Sequence, residues 1–199
     1  MIVDDDPEIL TALAALVALD GYACETYTSG LAYLQVLNDN RANFPGPSCL
    51  LCDVKMPEID GLELQRRLCE QDDTPLLLMS GASGAQEAVS AFRAGALDFL
   101  IKPMEAESLL AAVAKALATS TQRQRQRALE AALASRLTAL TAREREIAQR
   151  VSQGHTNPAI AEELGIALRT VKLHRQRAME KVGASTTADL VRIADAGGL

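Results

Sequence analysis

Asp4-Asp5 follow the apolar pair Ile2-Val3, Asp53 closes Cys49-Leu50-Leu51-Cys52, Ser80 closes Leu76 to Met79, and Lys102-Pro103 follow Asp98 to Ile101. An ionised carboxylate at the edge of a core costs free energy unless a cation or hydrogen-bond donors compensate it. Two or three such carboxylates on neighbouring loops repel one another until a cation joins them, and hard oxygens with room for water favour magnesium. A metal there would neutralise a phosphoryl group arriving on one carboxylate, while a lysine and a hydroxyl hold its other oxygens. The expected chemistry is phosphoryl transfer, with Asp53 as the nucleophile.

For these residues to meet, the runs that carry them must be neighbouring strands. Residues 1–118 alternate short apolar runs with helical patterns. Ile2-Val3 precedes a helix opened by Asp6-Pro7, with an acid at the cap and proline in the first turn. The stretch "YACETY" reads as a strand, residues 29–38 as a helix, "CLLCD" as a strand and 61–70 as a helix. "PLLLMS" and "DFLI" are two further strands, separated by a helix over 85–94, and a last helix covers 105–118. Five βα repeats with near-continuous apolar strands predict a doubly wound, flavodoxin-like parallel sheet covered by helices on both faces. In such sheets ligands sit at the carboxyl ends of the strands, where all the residues named above lie.

The formal net charge of −6 conceals two opposed halves. Residues 1–118 carry 18 acids and 7 bases, a net −11, whereas 119–199 carry 8 and 13, a net +5. The basic part is a candidate for nucleic acid. With 48% hydrophobic and 23% charged residues the 199-residue chain can build real cores. It shows no apolar run of about 18 residues and no charged-then-apolar leader, so a cytoplasmic protein is expected. Of Cys24, Cys49, Cys52 and Cys69, the pair Cys49 and Cys52 spells C-x-x-C inside a strand, where positions three apart face opposite sides. Buried small side chains are the better reading than a redox or zinc site.

The segments "IVDDDP", "LLCDVKMPEIDGLEL", "LLLMSGAS" and "GALDFLIKP", in this order and spacing, resemble the receiver domain of bacterial two-component response regulators over residues 1–118. The resemblance implies that Asp53 accepts a phosphoryl group from a phosphohistidine on a sensor histidine kinase. It implies that Asp5 and Asp53 ligate Mg²⁺ with the backbone carbonyl of Lys55, and that Asp4 acts through water. Lys102 would pair with the phosphoryl group and Ser80 would hydrogen-bond it. Phe99 would be the aromatic switch that moves inward with Ser80. Phosphorylation would then lead to a homodimer.

Residues 119–136 lack glycine and proline and read as a helical linker, with Leu129, Leu133 and Leu137 at i+4 spacing. That stripe suits either local packing or contact with a copy of itself. From residue 137 an all-α unit begins. Thr141 and Glu144 form a capping box, Gly154 ends the first helix, Asn157-Pro158 open a second, Gly165 makes the turn, 168–182 form a third and 186–194 a fourth. "LTALTAREREIAQRVSQGHTNPAIAEELGIALRTVKLHRQRAMEKVGASTTADLVRIA" resembles the LuxR-type helix-turn-helix, the output domain of the FixJ/NarL class. On that resemblance Val171, Ala178 and Val182 face the core. Lys172, Leu173 and Gln176 turn to the major groove of double-stranded DNA. Arg169, Thr170, His174 and Arg175 reach phosphates.

Three departures stand out. The first strand begins only three residues before Asp4, the third helix begins at Ala167-Leu168 without a Ser, Thr or Asp cap, and Pro158 occupies a position often basic in the family. The reading is a transcription factor and not an enzyme. Its rivals are a phosphohydrolase, which would commonly carry a second acid where Lys55 stands, and a DNA-binding protein that no longer takes phosphate.

Overall fold

The computed structural model describes residues 1–39, 46–68, 74–81 and 85–197. Two compact units divide at Gln124 and Arg125. The first is a five-stranded parallel sheet of β1 (Ile2–Val3), β2 (Thr26–Tyr27), β3 (Leu50–Asp53), β4 (Leu76–Ser80) and β5 (Asp98–Ile101), in the order β2-β1-β3-β4-β5. Its helices are α1 (Pro7–Leu19), α2 (Gly30–Asn38), α3 (Gly61–Leu68), α4 (Ala85–Arg93) and the part of α5 (Ala106–Thr138) that precedes the boundary.

Alternation along the strands sorts side chains between the two faces. Leu50 and Cys52 join Tyr33, Leu64, Leu68 and Ala91 of α2, α3 and α4. Cys49 and Leu51 join Leu10, Leu13 and Val17 of α1 and Leu109, Val113 and Ala116 of α5. The inner strands β1, β3 and β4 are therefore buried on both sides, the reason their sequences are continuous apolar runs. The two cysteines lie on opposite faces as period two requires, and burial raises both thiols above their ordinary range. Neither is a thiolate at neutral pH.

Asp6 caps α1, its carboxylate accepting from the amides of Glu8 and Ile9 at 2.8 and 3.4 Å, with Pro7 in the first turn. Ser29 does the same for α2. The expected strand over 22–27 contracts to Thr26–Tyr27. These are the residues that find partners, Ile2 and Val3, on the two-residue β1, and a strand extends only as far as its ladder. Cys69 and the expected last residues of α3 lie outside the described residues.

In the second unit α6 (Ala142–Ser152), α7 (Asn157–Glu163), α8 (Leu168–Val182) and α9 (Thr187–Gly197) enclose Ile147, Val151, Ile160, Val171, Ala178, Val182 and Leu190. Leu133 and Leu137, near the end of α5, pack into this core, whereas Leu129 is 68% exposed. The capping box at α6 forms, and Glu144 accepts in addition from Lys181 of α8 at 2.6 Å. That contact and the amide of Thr141 hold the buried Glu144 carboxyl below the usual carboxylate range. Asn157 does not cap α7. Thr156, the extended residue before the helix, does, accepting from Ala159, while Asn157, already the first helical residue, accepts from Arg175. No side-chain cap bond closes the start of α8 at Ala167, and Gly183 ends it in the left-handed conformation, φ 77°.

Candidate functional site

Parallel register brings the strand ends together. Val3 pairs with Cys52, Asp53 with Met79 and Ser80 with Ile101, so Asp4, Asp53, Ser80 and Lys102 emerge on one rim. Asp4 and Asp53 are 1% and 6% exposed. Between them stands Lys102, its ammonium 2.6 Å from Asp4 Oδ2 and 2.5 Å from Asp53 Oδ1. Burial works against the charged lysine, but hydrogen bonds to Asp4 and Asp53 outweigh it and leave the Lys102 pKa raised. The remaining carboxylate oxygens accept from backbone: Asp53 Oδ2 from Lys55 N at 2.6 Å, Asp4 Oδ1 from Asp6 N at 3.0 Å.

The loop after β3 is held close to α3. A Cβ on Gly61 would come 2.4 Å from the carbonyl oxygen of Asp53, so no larger residue fits there without moving the loop. Glu58, in the same loop, takes φ 66°, an uncommon conformation for a side chain of its kind.

Asp5 is exposed and lies beside this cluster in sequence; Lys55 points its ammonium outward. Among the described residues no three His, Cys, Asp or Glu side chains are gathered as metal ligands, and Lys102 fills the place between Asp4 and Asp53. The donor set nonetheless fits Mg²⁺: hard carboxylate oxygens with a net negative charge, one of them at the solvent edge. Ser80 is fully buried, and its hydroxyl donates to Glu87 Oε2 of α4 at 3.2 Å. Phe99, half-buried, packs on the core face shared with Ala91 of α4.

In the second unit Val171, Ala178 and Val182 are buried on one side of α8. Arg169, Lys172, Leu173 and Gln176 are exposed, and Thr170, His174 and Arg175 are half-buried. Gln176 donates to Glu180 at 2.9 Å, and His174 Nδ1 is buried with no partner among the described residues. Arg175 donates to Asn157 Oδ1 at 2.8 Å and to Thr187 Oγ1 at 2.7 Å, fastening α8 to α7 and to the start of α9. Arg175→Ala is therefore expected to weaken DNA binding without changing its salt dependence. A lost phosphate contact would lower the slope of log K against log salt by about 0.9. Titrations at several salt concentrations distinguish the two.

Comparison with known proteins agrees with this architecture. The response regulator receiver domain matches residues 1–114, and the luxR family of bacterial regulatory proteins matches 138–194. The chain belongs to the response regulators. Response regulator protein TmoT of Ectopseudomonas mendocina is 37% identical over 98% of this chain and 86% of its own length. Transcriptional regulatory protein FixJ of Bradyrhizobium diazoefficiens is 32% identical over 100% and 95%. Among solved structures, response regulator StyR superposes with a TM-score of 0.85 at 33% identity, covering 98% of this chain and 96% of that one. Full-length FixJ from B. japonicum gives 0.56 at 32% identity, covering 99% and 95%. A response regulator joining a receiver to a LuxR-type DNA-binding domain is a phosphorylation-dependent regulator of transcription, which works with a sensor kinase and with DNA. Among its described residues no helix is long and apolar enough to cross a membrane.

Two residues of this response regulator that its sequence did not single out touch the site or the element beside it. Glu87 reaches both Ser80 and Lys55, and Gln65 of α3 donates to the carbonyl of Ala91 in α4. Gln65 leaves a trace in the sequence, a polar residue between Leu64 and Leu68 on a buried face. Glu87 leaves none, because it lies seven positions after Ser80 on a different element, where no periodicity links the two.

Proposed function

We propose that Asp53 is the phosphoacceptor of a switch that controls DNA binding by the second unit. The observation that carries this reading is the Lys102 ammonium bound to both Asp4 and Asp53 on the rim where Ser80 ends. An Asp53 oxygen attacks the phosphorus of a phosphohistidine on a sensor histidine kinase, the P–N bond breaks, and the imidazole leaves with the electron pair. Lys102 neutralises one phosphoryl oxygen and Ser80 donates to another, so both groups exchange partners when Asp53 is modified. Phe99 moves inward with Ser80. Asp5, Asp53 and the carbonyl of Lys55, with Asp4 through water, are the residues that would hold Mg²⁺. That ion supplies Lewis-acid neutralisation of the phosphoryl oxygens.

Residues 1–118 form the receiver, 119–136 a helical linker and 137–199 the DNA-binding domain. Phosphorylation pairs two copies, which doubles the DNA contacts on a two-fold promoter site. On α8, Lys172, Leu173 and Gln176 face base edges, while Arg169, Thr170 and His174 lie towards phosphates and Arg175 holds the helix in place.

The test incubates the protein and Asp53→Ala with Mg²⁺ and acetyl phosphate, or with beryllofluoride, and follows mass and oligomeric state. An adduct confined to the parent and accompanied by dimerisation is expected. An adduct on both proteins moves the acceptor elsewhere, and none on either supports a receiver that does not use phosphate.

A further inference from the structure

On the reading above, the Ser80 hydroxyl must turn to a phosphoryl oxygen on Asp53. In the structure it donates to Glu87 Oε2 at 3.2 Å. The second oxygen of the same carboxylate lies 3.9 Å from Lys55 Nζ. Glu87 thus links the end of β4, the loop after β3 and the first turns of α4. An acid near a helix N-terminus is stabilised by the helix dipole without any such contact. The dipole does not account for a carboxylate directed at a buried hydroxyl.

We infer that Glu87 is a positioning residue for phosphoryl transfer, holding the Ser80 hydroxyl on α4 while Asp53 is unmodified and yielding it when the phosphoryl group arrives. This rests on Asp53 being the acceptor. A serine hydroxyl has one proton to donate, so the bond to Glu87 and a bond to a phosphoryl oxygen exclude each other. The exchange also frees α4 from β4 at this point, which ties the chemistry at Asp53 to the position of a helix.

Charge acts in the same direction. Glu87 adds a carboxylate beside a rim that already carries Asp4, Asp5 and Asp53, and both the phosphodonor and the phosphorylated product are anionic. Lys55 offsets little of this, because its side chain is 64% exposed and the pair is 3.9 Å apart. Both effects favour the unmodified state, so Glu87 biases the two-state equilibrium against phosphorylation.

The experiment uses the full chain with Mg²⁺ and acetyl phosphate. Asp53 attacks phosphorus, the P–O bond to the acetyl group breaks and acetate leaves with the electron pair. Intact mass gives the rate of uptake, and calorimetry gives the affinity for beryllofluoride. Glu87→Ala is expected to raise both by about tenfold, the size of one charge-assisted hydrogen bond. Glu87→Gln, which keeps the acceptor and the shape but loses the charge, should fall between it and the parent. In a Ser80→Ala background the effect of Glu87→Ala should shrink to its charge component, a non-additivity that a purely structural role would not produce.

A parent that takes up phosphoryl at the same rate and binds beryllofluoride with the same affinity as Glu87→Ala and Glu87→Gln overturns the inference alone. An effect of Glu87→Ala that is equal with and without Ser80 overturns the coupling through that hydroxyl. A parent that takes no phosphoryl group and binds no beryllofluoride overturns the Asp53 reading, and the inference with it.

Discussion

Lys102→Met is expected to destabilise the first unit by about 3–5 kcal/mol in urea unfolding, the usual consequence of removing one partner from a buried ion pair. Lys102 is the cation shared by two buried carboxylates, and its own side chain is only 18% exposed. Without it Asp4 and Asp53 face each other with backbone amides alone for compensation. Adding Asp53→Asn to the variant should recover part of the loss, because the repulsion then disappears with one of the charges. This recovery is the double-mutant signature of a shared cation, whereas two independent surface contacts would simply add.

The same site has a defined pH dependence. Burial depresses the Lys102 pKa, hydrogen bonds to Asp4 and Asp53 raise it, and the net shift is upward. A raised lysine pKa contributes stability that is fully present below the ordinary lysine value, about 10.4, and is lost as pH rises through the folded value. The gap between parent and Lys102→Met should therefore hold from neutral pH up to the lysine range and close above it. Mg²⁺ should stabilise Lys102→Met more than the parent, since in the parent the ammonium already occupies the place between the two carboxylates. Urea midpoints with and without the ion measure this directly.

The rim was legible in the sequence because buried parallel strands are continuous apolar runs, and each run ends abruptly on a residue that cannot be apolar for the site to work. Asp53 after Leu50 to Cys52 and Ser80 after Leu76 to Met79 are of this kind. The extent of β2 was not legible, since "YACETY" has strand propensity throughout but β1 supplies only two partners. The Leu129, Leu133 and Leu137 stripe left two outcomes open, and the structure divides it: two of the three complete a core and one stays exposed. Arg175 was placed among phosphate contacts by its position on α8. Its hydrogen bonds to Asn157 and Thr187 depend on two other helices that periodicity within α8 cannot reveal. Glu87 escaped for the same reason. Contacts within an element follow from its period, whereas contacts between elements follow from the path of the chain.

Gln65→Met is expected to stabilise the first unit by about 1 kcal/mol, what remains of the roughly 1–3 kcal/mol cost of a buried polar atom left unpaired once the roughly 0.5–1.5 kcal/mol of the hydrogen bond it also loses is subtracted. Gln65 is 1% exposed, and among the described residues its Oε1 has no hydrogen-bond partner. The amide is not idle, since Nε2 donates to the Ala91 carbonyl of α4 at 3.0 Å. That carbonyl, however, also accepts from Ala96 N at 3.0 Å, so it stays satisfied when the glutamine is removed. Methionine has nearly the same length and flexibility, can occupy the space the glutamine leaves beside Ala91, and brings no atom that demands a partner. The balance is one hydrogen bond lost against one desolvated acceptor relieved, and the second is the larger. Urea unfolding should show a higher midpoint with an unchanged m-value, which assigns the gain to stability and not to a change in compactness. A lower midpoint would mean that the bond from α3 to α4 outweighs the unpaired oxygen. The latch between those helices would then be a principal tie on the same helix that carries Glu87.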